Sequence, residues 1–267
     1  MRSHKELNWV NIVFMALPPI FAFICVGISL HTQGLHNEDL LTFMLMLVLT
    51  GLSITAGYHR YYSHRSYECH MVVQLFYLLF GAAALQNSVL YWASDHRYHH
   101  RFVDQEKDPY NITKGIFWAH LSWIFSKEPP DRSFENIPDL TANRLVMWQH
   151  RYYLPIGFGM CFIAPLLLGL AFGRLWNGLL WGGLLRVVVF HHITFLFLSF
   201  AHVTGSQPYS TKNSSRDNWW LAFLTFGDGY HNFHHTFQGD YRSGATWYQW
   251  DPSKWWIWSL SQVRLTR

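Results

Sequence analysis

Charge is scarce in this chain. Only 13% of its 267 residues are Asp, Glu, Lys or Arg, against half that are hydrophobic. A soluble globular domain carries about 25% charged residues, so the composition is that of a membrane protein. Thiols are scarce too: Cys25, Cys69 and Cys161 are far apart, with no metal-binding spacing. An odd number excludes a disulfide framework that uses them all, and thiolates are too few and too distant for an iron–sulfur cluster. No glycine-rich nucleotide motif follows a strand pattern, so whatever electrons the protein needs must come from elsewhere. The formal charge of +4 is small and sits in loops rather than tails, which makes nucleic acid a poor partner. A cleavable leader is not expected either. Arg2, Lys5 and Glu6 precede an apolar run that is too long and has no small-residue cleavage site.

Long apolar stretches are what the chain does have. Val10–Leu30, Leu40–Tyr58, Tyr153–Phe172 and Trp176–Phe200 are each long enough to read as membrane helices. Met71–Trp92 is a fifth apolar run, interrupted by Gln74, Gln86, Asn87 and Ser88. If it crossed, the histidines before and after it would lie about 30 Å of hydrocarbon apart. It is therefore predicted to lie along the interface. The expectation is an all-α membrane protein of one domain. Four spanning helices would carry a helical cap made of residues 93–151 and 201–267. Between Asp95 and Arg151 lie Arg97, Arg101, Lys107, Lys114, Lys127, Arg132, Arg144 and Arg151, whereas the opposite side carries only Arg174. By the positive-inside rule both termini and the cap face the cytoplasm.

Histidines collect at the ends of these runs. His59 and His64 follow the second, His96, His99 and His100 follow the fifth, and His231, His234 and His235 come after the fourth span. These eight imidazoles, on one side of the membrane, are enough for two nitrogen-ligated metals; imidazole suits iron, copper, zinc or nickel. A spacing of five does not put His59 and His64 on one face of a regular helix, so the helix must end or distort between them. His96 shares a face with His99 or His100, and His231 shares one with His234 or His235. The adjacent pairs point apart, which suits bridging two metals. Asp95, Asp104, Asp108 and Asp228 are the carboxylates placed to take the other ring N–H. His191 and His192, inside the last span, are read as channel-lining or packed against a polar neighbour. His70, His120 and His150 are read as interface or fold-supporting histidines.

The motifs His59-xxxx-His64, His96-xx-His99-His100 and His231-xx-His234-His235 resemble the three histidine boxes of the integral-membrane fatty acid desaturases, the stearoyl-CoA type. Their flanks do too, in Gly57-Tyr58-His59-Arg60, Asp95-His96-Arg97 and Gly227-Asp228-Gly229-Tyr230-His231-Asn232. The likeness runs from about Thr50 to Trp256. It implies a ninth ligand, His202, in Ser199-Phe200-Ala201-His202. Where the family has an asparagine that holds a metal through water, this chain has Leu198. One metal then has a more open sphere, or Gln86 or Asn87 substitutes.

The resemblance implies a cofactor of two irons, ferrous when reduced, with O2 as co-substrate. The reaction implied is insertion of a cis double bond, by default delta-9, into a saturated acyl chain. That chain could be carried on coenzyme A, acyl-carrier protein or phospholipid. Arg97, Arg101, Lys107 and Lys114 are candidates for headgroup contacts, Asn111 and Trp118 for orienting the chain, and Phe43, Met44 and Leu47 for the closed end of a tunnel. No cytochrome b5-like segment is read after Trp258, so a separate ferredoxin, rubredoxin or cytochrome b5 with its reductase is expected, docking near Arg242–Trp258. The compact chain resembles bacterial members, which places it in an inner membrane. The nearest alternative is an alkane or fatty acid hydroxylase of the same superfamily; a haem-binding carrier and a non-catalytic relative are further ones.

Overall fold

The computed structural model describes residues 6–126 and 133–267; Arg2 and Lys5 of the leader argument, and Lys127 and Arg132 of the sidedness count, lie outside them. Among the described residues four helices have the length and apolarity to cross a bilayer: α1 (Trp9–Gln33), α2 (Asn37–Ser63), and two later ones, Tyr153–Ala171 and Leu175–Phe200. At 1.5 Å per residue they run about 28 to 40 Å, enough for a hydrocarbon core of about 30 Å. Among the described residues no strand forms, only isolated bridges.

At the end of the bundle away from the histidines, a polar knot ties the helix ends together. Arg174, between the last two spans, grips both oxygens of Asp39 at 2.7 Å, and Asn177 adds a third bond to the same carboxylate. Asp39 is buried in the first turn of α2. A bidentate arginine–carboxylate pair fixes orientation as well as distance. It sets the register of α2 against the last span.

The apolar run Met71–Trp92 does not form the single interfacial helix expected. It breaks into α3 (Met71–Ala82) and the start of α4 (Val89–Phe102). Leu85 and Asn87 take left-handed backbone angles, with φ of 52° and 77°, which ends the helical path between them. α3 has 12 residues, about 18 Å, and is too short to cross. The carbonyls freed at the break are taken by the last span. Arg186, fully buried, donates to Ala83 O at 2.7 Å and, within its own helix, to Gly182 O at 3.0 Å, and His191 bonds Ala84 O at 2.7 Å. A cation at a helix C-terminus meets the negative end of the helix dipole. The pairing gives these two polar side chains a structural reason to sit inside an apolar helix.

The cap continues with α5 (Arg144–Arg151), the spans α6 (Tyr153–Ala171) and α7 (Leu175–Phe200), then α8 (Trp219–Leu224), α9 (His231–Thr236) and α10 (Pro252–Gln262). Its largest apolar core joins Ile54 and Tyr58 of α2, Tyr77 and Leu78 of α3, Leu90 of α4 and Ile257 of α10. His150, on α5, bonds Ser88 at the start of α4; His70 caps α3; His120 reaches Ser199 on α7. All three support the fold, as read from the sequence.

α2 and α3 approach so closely that Gly57 has no room for a side chain. A Cβ there would lie 2.6 Å from Tyr77 Cβ and Cγ. Overpacking of this kind costs about 1–3 kcal/mol. We expect Gly57→Ala to lower the thermal unfolding midpoint of the purified protein. Gly27→Ala on α1, where nothing lies within 4 Å, should leave it unchanged or raise it slightly, because alanine is the better helix former.

Candidate metal centre

The distortion expected between His59 and His64 is a π-helix. Residues Ser53–Ser63 at the end of α2 wind with the wider turn, and the His64 amide bonds His59 O at 3.1 Å. An i→i+5 hydrogen bond is the signature of that winding, and it brings residues five apart onto one face. The two imidazoles stand 5.0 Å apart, centre to centre. On α4 and α9 ordinary helical spacing does the sorting. His96 and His100 share one group and His99 points into another. His231 and His235 share the second, and His234 turns back to the first.

The result is two groups, His59, His64, His96, His100 and His234, and His99, His202, His231 and His235. Within each, the nitrogens offered to a metal all lie within 4.8 Å of one another. Opposed ligands on one ion at about 2.1 Å stand about 4.2 Å apart, so each group is close to the size of one coordination sphere. The groups adjoin: the rings of His100 and His235 stack at 4.1 Å. Thus the structure brings all nine sequence-predicted histidines together, His202 included.

Carboxylates fix the rings from behind. Asp228 bonds His59 Nδ1 at 2.8 Å and Asp108 bonds His99 Nδ1 at 2.9 Å. Asp104 accepts from the Ser214 hydroxyl, which in turn accepts from His202 Nδ1 at 2.8 Å. Each contact places the ring proton on Nδ1 and leaves a lone pair on Nε2. Asp228 is itself held by the buried Arg60, which spans from it to Asp251. Burial pushes the Asp228 carboxyl up, but His59 and Arg60 more than offset this and hold it below the usual carboxylate range. Burial first, then neighbouring imidazoles, keep His64, His96, His100, His202, His231, His234 and His235 well below the ordinary imidazole range. These rings are neutral at pH 7, the form that binds metal.

Hydrogen bonds among the rings cannot satisfy this arrangement. In the second group the Nε2 atoms form a chain: His202 to His231 at 3.1 Å, His231 to His235 at 2.9 Å, and His235 to His99 at 3.3 Å. Both ends, His202 and His99, carry lone pairs. A neutral ring offers at Nε2 either one proton or one lone pair. Three contacts between two accepting ends cannot alternate donor and acceptor, so at least one pair must clash. A cation among the four lone pairs removes the conflict. In addition, the Nδ1 atoms of His100 and His231 are buried without a hydrogen-bond partner. All-nitrogen donors suit iron and the other metals that imidazole favours.

Three residues of this centre were missed in the sequence. Tyr110 bonds His96 Nδ1 at 3.3 Å and lays its ring 4.5 Å from that of His99. Trp92 stacks on His96 at 5.1 Å. Ser214 relays Asp104 to His202. Tyr110 stands two residues past Asp108 and was findable on that ground; Ser214 offered no signal.

A cavity of about 850 Å3 leads to the centre. Phe14 and Met15 of α1, Phe158 of α6, and His191, Thr194 and Phe195 of α7 line its apolar body, and Trp92, His96 and Tyr110 close it. None of Phe43, Met44, Leu47, Arg97, Arg101, Asn111 or Trp118 lines it. Met44 is half exposed on the outer face of α2 and Leu47 packs into the cap core. Arg97 is a brace, clamped to both oxygens of Asp139 and to the carbonyls of Ser63 and Tyr62. Asn111 folds its own loop through Thr113 N and Gln105 O. The cavity's lining comes instead from α1, α6, α7 and the break between α3 and α4. Gln86 and Asn87 line the same cavity as Leu198. Gln86 donates to Thr194, and Asn87 caps Ser88. Leu198 itself is buried against Phe195, Phe197 and Tyr110.

Fold and site together define an integral-membrane protein built around a paired, all-imidazole metal centre. A family model for fatty acid desaturases matches residues 40–259. The chain is 40% identical over 259 residues to a probable acyl-CoA desaturase of Schizosaccharomyces pombe, covering 96% of this chain and 53% of that protein. It is 39% identical over 267 residues to acyl-CoA desaturase 1 of Saccharomyces cerevisiae, covering 98% and 51%. Against stearoyl-CoA desaturase 2 of Rattus norvegicus the identity is 38% over 251 residues, covering 92% and 69%. The chain belongs to the fatty acid desaturase family. It spans about half the length of the two yeast relatives.

Loss of a carboxylate behind a ligand costs roughly 10–100-fold in metal affinity. We expect that loss for Asp108→Asn, read as metal retained after dialysis against a chelator. The metal-free protein has a second signature. Its buried imidazoles stay neutral below pH 6.5, where unfolded ones take up protons. The unfolded state then binds more protons, so stability falls as pH drops through that window. Thermal midpoints of apoprotein at pH 7.5 and 5.5 check this, with the lower midpoint expected at 5.5.

Proposed function

We propose that the chain is an O2-dependent acyl desaturase. It would introduce a cis double bond, by default delta-9, into a saturated chain presented as acyl-CoA. The observation that carries the reading is the cavity of about 850 Å3, apolar along its body and closed by a ligand histidine. Its size falls in the ordinary range for small-molecule sites, about 300–1,000 Å3. Two irons held by the nine histidines, with O2 as co-substrate, would supply oxidising power that no side-chain base can bring to an alkyl C–H bond. The chain's own residues do the rest. Phe14, Met15 and Phe195 hold methylenes by apolar contact, and Trp92 and Tyr110 set how far the chain advances. Their bulk excludes water from the reacting carbons.

Tyr110 also holds a proton at a defined place. His96 Nε2 faces the first metal group, so His96 Nδ1 carries the proton and the phenol oxygen accepts it. The phenol proton is then free to turn toward the cavity. For the carrier, the exposed Arg101 and Lys107 flank Phe102, and Lys114 lies over Trp118. These cations suit an anionic headgroup such as coenzyme A, and the names of the relatives support that carrier. Electrons would come from a redox centre of the ferredoxin, rubredoxin or cytochrome b5 kind. The histidine side faces the cytoplasm by its basic residues. A bacterial inner membrane gains no support from relatives that are fungal and animal.

The test is the fatty acid profile of cells expressing the protein or its His99→Ala variant. We expect monounsaturated chains, two hydrogens lighter than their precursors, only with the unaltered protein. Chains that gain an oxygen atom instead, or identical profiles, contradict the proposal.

A further inference from the structure

The cap exposes a continuous aromatic surface that neither the metal centre nor the cavity uses. Trp219 and Phe223 lie one turn apart on α8 and are 75% and 61% exposed. The Phe223 ring meets that of Trp250 at 5.2 Å, and Trp250 meets Trp255 of α10 at 5.4 Å. A patch of this kind facing water invites association. Its depth in the molecule suggests another neighbour.

Two contacts fix that depth. Phe226, three residues after Phe223, packs its ring directly on Gly51 of α2. Ser253, two residues before Trp255, bonds Thr55 of α2 at 2.5 Å. The polar knot at Asp39 marks the far edge of the bilayer. Gly51 and Thr55 stand about 18 and 24 Å along the helix from it. Both fall short of the about 30 Å of hydrocarbon that the helix must cross. This flank of the cap therefore descends beside α2 to the level of the acyl chains.

Charge agrees with that placement. Residues 219–226 contain no charged residue, and 250–258 contain only Asp251 and Lys254, both buried. The Lys254 ammonium is turned inward onto the carbonyls of Gly244 and Thr246. A redox protein that docks and leaves is steered by complementary charge, and this surface offers none. Indole rings, by contrast, favour the boundary between acyl chain and headgroup.

We propose that Trp219, Phe223, Trp250 and Trp255 form a lipid-facing wall that seats one flank of the cap in the acyl-chain boundary of the bilayer. The inference stands independently of the reaction proposed above, and it removes this surface from the docking region expected near Arg242–Trp258.

The full-length protein in phosphatidylcholine vesicles tests it without substitution. A phosphatidylcholine bearing a photoactivatable diazirine on its acyl chain should label peptides holding Trp219–Phe223 and Trp250–Trp255. The yield should match that at Ile20 and Phe23 of α1. Hydroxyl radicals in the water phase should oxidise Tyr209 and Phe237 at least fivefold faster than these four residues. Radical oxidation of the four at the rate of Tyr209, with no acyl-chain adducts, overturns the proposal. So does protection that arises only when cytochrome b5 or ferredoxin is added, which would make the surface a donor site.

Discussion

Nine imidazoles crowded into one buried volume, with their Nε2 atoms aimed at one another, set the constraint on this structure. Buried polar groups are costly unless paired. Here the pairing is denied from within, because carboxylates on the outer side commit His59, His99 and His202 to lone pairs on the inner side. Cations relieve the conflict.

The frame around the cluster can be traced outward in connected steps. Arg60 joins Asp228 to Asp251, locking the π-wound end of α2 to the loop before α9 and the start of α10. Arg97 clamps α4 to Asp139 and to the same end of α2. The break between α3 and α4 lets the chain turn back toward the histidine side, and Arg186 and His191 neutralise the carbonyls it exposes. Each arginine is placed where ordinary helix packing would leave an unpaired carboxylate or carbonyl. The cavity reaches the centre through the same break: Leu85, Gln86 and Asn87 line it. The turn that positions the second histidine box thus also opens the path to it.

Much of this was legible in the residues, though unevenly. Four spans and the sidedness of the histidines followed from apolar length, since a helix must bury or lipidate about 20 apolar residues to cross. The division into two groups was half visible, because i, i+4 spacing pairs His96 with His100 and His231 with His235, but nothing in the chain chose that pairing over i, i+3. The spacing of five at His59 and His64 showed that regular winding must fail; that it fails by widening rather than ending depends on packing against α3 and α4. The residues expected at the closed end of a tunnel do not line the cavity. Phe43, Met44 and Leu47 are apolar residues on a membrane helix, and such residues face lipid, core or cavity with the same sequence signal. Arg97 misled for a related reason, since a cation among histidines reads as a ligand contact until its carboxylate partner, 42 residues away, is in view. Ser214 was invisible, because only folding brings its hydroxyl between Asp104 and His202.

The central claim is that two metal ions complete this site. Metal analysis of the purified protein, combined with X-ray absorption at the edge of the metal found, tests it most directly. The account predicts two irons per chain in a shell of nitrogen and oxygen donors, with metal–nitrogen distances of about 2.0–2.2 Å. Folded, active protein that holds one metal or none, or a shell containing sulfur, would contradict it.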